Sequence, residues 1–166
     1  MDQKIKILAV VGTRPEAVKM APLIQELKAR HQVECFVCAT AQHREMLDQV
    51  LDLFKIKPNF DLNLMSPGQS LAKITSLIFD QLDPVILQVN PDWIIAQGDT
   101  TTVMATSILA YYHRIKFGHV EAGLRTGDNY APFPEEVNRK IAGVISYAHF
   151  ALSLIHISEP TRPERI

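Results

Sequence analysis

Short apolar runs recur along this chain, each followed within a few residues by a stretch of helical spacing, and that alternation leaves little choice of fold. Strands are predicted at 4–11, 33–39, 93–97 and 116–121, with a shorter and weaker one at 60–65. Helices are predicted at 14–30 and 42–54, from Ser70 to Val89, behind Thr100, and from Pro134-Glu135 onward. Their stripes are apolar at i, i+3, i+4 spacing, as in Met46, Leu47, Val50, Leu51 and Phe54, or Leu71, Ile74, Ile78 and Leu82. Pro22 should kink or restart the first helix, and Pro84 should bend or divide the third. Strands alternating with helices call for right-handed crossovers and a parallel sheet covered on both faces. The expectation is a doubly wound, Rossmann-like α/β domain.

Composition narrows the classes of function. The 166 residues suffice for one domain with a real core, and 47% hydrophobic with 21% charged residues is ordinary for a soluble globular chain. A net charge of -1 argues against a broad nucleic-acid surface. No apolar run approaches a bilayer span, and Met-Asp-Gln-Lys leads straight into the first strand without room for a signal peptide, so the expected location is the cytoplasm. Cys35 and Cys38 form a C-x-x-C, but they lie within a predicted strand on opposite faces, so they read as buried, reduced thiols. No compact metal-ligand motif is present; a site from Asp99, His119 and Glu121 is conceivable on paper and has no spacing to support it. The glycine fingerprint of dinucleotide sites is missing after the first strand, so no dinucleotide cofactor is expected.

The turn after the first strand is unusually well specified. Thr13 is placed to cap the helix, Glu16 completes a T-x-x-E capping box, and Pro15 lies in the first turn where its missing N–H costs nothing. Arg14 and Lys19 add cations that a cap does not need. Two readings stand side by side: an anion contact at a helix N-terminus, or an ordinary capped helix with solvated charges.

Ligands of open parallel sheets bind beyond the carboxyl ends of the strands. There this chain collects Arg14, Glu16 and Lys19, then Gln42, His43 and Arg44, then Gly98-Asp-Thr-Thr-Thr102, then His119 and Glu121, with Arg125, Glu135, Glu136 and Arg139 nearby in sequence. Each has an innocent alternative. Asp99 is positioned to cap a helix, Glu135 and Glu136 suit a helix start, and His119 is either a core histidine or a partner for Glu121. Carboxylates around one pocket can divide into acid and base if their surroundings separate them.

Four strings, in this order and spacing, resemble the non-hydrolysing bacterial UDP-N-acetylglucosamine 2-epimerases: Gly12-Thr-Arg-Pro-Glu-Ala-Val-Lys-Met-Ala-Pro-Leu23, Gln97-Gly-Asp-Thr-Thr-Thr102, Gly118-His-Val-Glu-Ala-Gly-Leu-Arg-Thr126 and Phe133-Pro-Glu-Glu-Val-Asn-Arg139. The resemblance covers residues 4 to about 151. It implies the N-terminal half of a two-domain GT-B-type fold, with the active site between two Rossmann-like halves and no external cofactor. The implied reaction interconverts UDP-GlcNAc and UDP-ManNAc through UDP elimination, a 2-acetamidoglucal intermediate and re-addition. It further implies Asp99, Glu121 and Glu135 as the acid/base carboxylates, and Arg14, Lys19, His119, Arg125 and Arg139 as substrate-binding candidates. Gln42, His43 and Gln69 match positions of an allosteric UDP-GlcNAc site in some members, although this chain has Gly68 where some members carry a basic residue. The complete enzyme is expected to be a homodimer that engages neither nucleic acid nor membrane.

Residues 1–151 are thus expected to form the family domain. The stretch from Leu152 to Ile166 carries two prolines in its last seven residues and no helical stripe; it reads as a translated sequencing adapter at the end of a truncated, inactive product. Two alternatives remain: a stand-alone nucleotide-sugar-binding module without catalysis, and half of a glycosyltransferase.

Overall fold

A computed structural model describes residues 4–40, 44–64, 66 and 68–151. The order is β1 (Ile5–Val11), α1 (Arg14–Ala29), β2 (Val33–Ala39), α2 (Arg44–Leu53), β3 (Phe60–Asp61), α3 (Leu71–Val89), β4 (Trp93–Gln97), α4 (Thr101–Tyr112), β5 (Lys116–Val120), α5 (Glu135–Ile145) and β6 (Ala148–Phe150). The strands form one sheet in the order β3-β2-β1-β4-β5-β6, with every pairing parallel. Chain direction across the sheet reverses between β1 and β4, which makes that junction the topological switch point.

Pleating divides the strand residues between two cores. Leu8, Val10, Cys38, Ile94, Ala96 and Phe117 face α3, α4 and α5. Ala9, Val11, Val37, Ala39 and Ile95 face α1 and α2. Cys38 joins the first core and Cys35 packs against the second; both are free thiols, and burial with Asp61 nearby pushes the Cys38 thiol up to about 12. No helix among the described residues is long and apolar enough to cross a membrane.

The structure departs from expectation in four places. Pro22 does not break α1, which runs unbroken from Arg14 to Ala29. Pro22 and Val18, whose carbonyl the proline cannot engage, are both on the exposed face, where water replaces the missing partner. Pro84 is likewise carried inside a continuous α3, which stops at Asn90, a left-handed C-cap (φ 47°) followed by Pro91. The predicted strand at 60–65 shrinks to two residues, after which Leu62 and Leu64 still bond the carbonyls of Ala39 and Thr40 at 2.9 and 3.2 Å. Finally, β6 adds a sixth strand that the sequence pattern does not announce: three residues are too few to show alternation. The stretches at 41–43 and 152–166, with the readings placed on Gln42, His43 and the tail, lie outside the described residues.

Candidate active site

The carboxyl ends of β1, β4 and β5 and the first turn of α5 enclose a cleft of about 510 Å³ at the switch point. Thr13, Glu16 and Lys19 come from the β1–α1 corner; Gln97, Gly98, Asp99 and Thr100 from the end of β4; Glu121 and Leu124 from beyond β5; and Glu135 and Arg139 from α5.

The β1–α1 corner forms the full capping box, and more. Glu16 Oε2 accepts from the Thr13 N–H at 3.2 Å and from the Gly12 N–H at 2.6 Å, while the Glu16 N–H reaches Thr13 Oγ1 at 3.5 Å. Glu16 is 3% exposed, and burial raises its pKa against the pull of those donors. The choice between anion site and capped helix is therefore settled for Gly12 and Thr13: their N–H groups already donate to a carboxyl oxygen, and it is the protein's own. Gly12 is there for space. A Cβ would sit 2.7 Å from Thr40 Oγ1 and 2.8 Å from Thr102 Oγ1, two buried hydroxyls bonded to each other at 3.3 Å.

Behind β4, the N-cap of α4 is Thr100, whose Oγ1 accepts from the Val103 N–H at 3.4 Å. Asp99 is thereby released from the capping role the sequence allowed it. Its Oδ2 meets Arg139 Nη2 at 2.6 Å, and its backbone carbonyl accepts from Asn138 Nδ2 at 2.9 Å. Burial raises the Asp99 pKa; Arg139 opposes that, while the neighbouring Glu135 and Glu121 push it further up. Arg139 is 4% exposed and also faces Glu136, with Nη1 3.4 Å from its Oε2. Glu136 is fully buried: burial pushes its carboxyl up, but Lys140 and the N–H groups of Thr126 and Gly127 prevail and hold it below the ordinary value.

Glu121 is the residue on which strand β5 breaks. Its φ of 61° is left-handed, a conformation that costs a non-glycine residue of order 1 kcal/mol and tends to persist where a function needs it. The turn swings the carboxylate away from the β5 alternation and onto Lys19 of α1, with Nζ to Oε2 at 2.5 Å, and the buried Gln97 amide donates to the same oxygen. His119 takes no part in this. It is 1% exposed, and its Nε2–H donates to the Gly98 carbonyl at 2.6 Å. Burial lowers its pKa to about 4, so the ring is neutral with Nδ1 unprotonated. The alternative of a His119–Glu121 pair fails because the left-handed residue turns Glu121 off the strand.

Of the candidate site residues, Lys19, Asp99, Glu121, Glu135 and Arg139 meet at the cleft. Among the described residues, the other candidates do not line it. His119 lies beneath it, holding Gly98. Arg125 lies against α5, where Gly143 makes room for it: a Cβ there would be 2.9 Å from Arg125 Nη2. Arg14 is exposed at the start of α1. Gln69 staples its own loop, accepting from the Ser66 N–H at 3.0 Å and donating to the Leu64 carbonyl at 3.1 Å. Sequence reasoning passed over Gln97 and Asn138. Asn138 had a readable signal: 135, 138 and 139 share one face of a helix. Gln97 had only its place as the last residue of an apolar strand.

The family model for UDP-N-acetylglucosamine 2-epimerase matches residues 25–156. A curated relative, the UDP-N-acetylglucosamine 2-epimerase of Bacillus subtilis (strain 168), is 56% identical over 149 residues, covering 90% of this chain and 39% of its own length. A crystal structure of a UDP-N-acetylglucosamine 2-epimerase superposes with a TM-score of 0.91 at 53% identity, over 95% of this chain and 44% of that one. The UDP-GlcNAc 2-epimerase of Neisseria meningitidis, solved with UDP-GlcNAc bound, matches at 54% identity and a TM-score of 0.86, over 89% and 40% of the respective chains. This chain therefore spans about two fifths of the length of the proteins it matches.

Proposed function

Because this chain belongs to the UDP-N-acetylglucosamine 2-epimerase family, we propose that it forms one wall of a non-hydrolysing epimerase that interconverts UDP-GlcNAc and UDP-ManNAc. Residues 1–151 would be the N-terminal Rossmann-like half and 152–166 a segment outside it. One observation carries the reading: three carboxylates from three elements, Asp99, Glu121 and Glu135, meet in a single cleft beside Lys19 and Arg139.

The chemistry asks for such a set. A carboxylate takes the C2 proton; the C–H electron pair becomes the C1=C2 bond, and the C1–O bond breaks with its pair leaving on UDP. Re-addition returns the UDP oxygen to C1 while a second carboxyl delivers a proton to the opposite face of C2. Two acids in different surroundings divide that work better than two alike. Asp99, raised by burial, is suited to carry a proton in; Glu121, held by two donors, is positioned to take one out. Lys19 stands ready for the charge that develops on the leaving diphosphate. A complete, cytoplasmic homodimer with an allosteric site that includes Gln69 belongs to the same proposal.

The test joins residues 1–151 to the remainder of the Bacillus subtilis relative and assays the fusion with UDP-GlcNAc in deuterated water. Deuterium at C2 alongside UDP-ManNAc is the expected outcome. Asp99→Asn, Glu121→Gln and Glu135→Gln should each lower turnover by about 100-fold or more. A folded fusion that binds UDP-GlcNAc without exchange at C2 would favour the binding module instead.

A further inference from the structure

The cleft meant for a diphosphate holds few cations, and its carboxylates already occupy them. Arg139 is anchored: buried, and set between Asp99 and Glu136. Lys19 is the exposed one. Its side chain is 44% exposed, on the first turns of α1, and among the described residues its ion partner is Glu121, itself 22% exposed. The N–H groups of Gly12 and Thr13, just ahead of α1, cannot take its place, because Glu16 holds them.

We propose that Lys19 is a shared cation, neutralising Glu121 in the empty cleft and passing to the diphosphate of the bound nucleotide sugar, so that substrate binding itself uncovers the Glu121 carboxylate. This deepens the epimerase reading and rests on it for the identity of the anion. The geometry suits an exchange. A flexible ammonium makes a point contact that can be remade on another anion, unlike the planar fork of an arginine. Gln97 keeps its own hold on Oε2, so Lys19 can depart without Glu121 following. Availability is then coupled to occupancy: the carboxylate is ion-paired while the cleft is empty and released once the diphosphate is seated.

If Lys19 is shared, anion and Glu121 compete for it, and the competition is measurable without turnover. The probe is inorganic pyrophosphate, titrated calorimetrically at low salt into this chain and its variants, each checked for native amide dispersion by NMR. Lys19→Met should weaken binding about tenfold. Glu121→Gln should tighten it about fivefold by freeing the ammonium. Glu135→Gln removes the same charge from the same cleft without touching Lys19, and should tighten it by no more than about twofold. In the Lys19→Met background, the effect of Glu121→Gln should shrink to that of Glu135→Gln. Equal tightening by Glu121→Gln with and without Lys19, no tightening at all, or no pyrophosphate binding by the wild-type chain would each overturn the exchange. An active fusion with no coupling would sink the exchange and leave the epimerase; coupling in a chain whose fusion is inactive would do the reverse.

Discussion

At Gly12 the constraint is a matter of tenths of an ångström. The Thr40 and Thr102 hydroxyls leave no room for a methyl group, and both belong to a buried seam that cannot step aside cheaply. Gly12→Ala should cost about 1–3 kcal/mol, read from urea unfolding at neutral pH. His119 gives a signed pH effect. Its folded pKa, about 4, lies below the ordinary 6.5, so its contribution is complete above pH 6.5 and is lost as pH falls toward 4, where the unfolded chain takes a proton the folded one refuses. That loss approaches roughly 3 kcal/mol at its acid end. His119→Gln, which keeps a donor for the Gly98 carbonyl, should flatten the acid limb of stability between those two pH values. An unchanged limb in unfolding curves at pH 7, 5.5 and 4.5 would show that the buried imidazole is not its source. Glu16 and Asp99, whose pKa values are raised, act with the opposite sign and are common to both proteins in that comparison.

Elements obey their local signals where those signals are satisfied inside the element, and depart from them where water can make up the difference. Thr13 and Ser70 cap helices as their sequence context suggests, Thr100 takes the cap expected of Asp99, and each accepts from the N–H three residues ahead. Ser70→Ala should lower stability by about 1 kcal/mol, measured by thermal melting. Pro22 shows the other side. Proline costs up to about 3 kcal/mol inside a helix, yet α1 carries it because Val18 and Pro22 face solvent. Pro22→Ala should therefore stabilise the chain by about 1 kcal/mol, the helical gain exceeding the entropy that proline removes from the unfolded state. A loss of stability would mean that the proline's packing outweighs the hydrogen bond it denies.

Across the whole molecule, the strand order puts every cleft residue at one edge. β1 and β4 are neighbours in the sheet and far apart in sequence; where they diverge, their outgoing loops leave a crevice that α5 closes on one side. The described residues build one wall of that crevice, on which the Asp99 and Glu121 side chains are 30% and 22% exposed. Closing an active site strengthens its electrostatics and guards its intermediates. This chain by itself should bind pyrophosphate yet exchange C2 hydrogen at least about 1,000-fold more slowly than the fusion; comparable rates from the two would mean that one wall suffices.

Much of this was legible in the residues. Apolar periodicity with glycine and proline punctuation was enough for a parallel α/β sheet, because side-chain burial must follow the backbone's own repeat. The T-x-x-E box at Thr13 and Glu16 was enough for the first corner, because capping is satisfied within four residues. The cluster of polar residues at strand ends located the cleft. What the linear chain left open were the pairings. Asp99 was the expected cap of α4 until the fold put Arg139 and Asn138 across from it and Thr100 took the cap. Glu121 and His119 looked like partners until a left-handed residue sent one to Lys19 and the other to Gly98. Lys19 and Glu121 lie 102 positions apart. Periodicity and caps are short-range and write themselves into neighbouring residues; which charge meets which depends on how distant elements dock, and only the packed structure decides that.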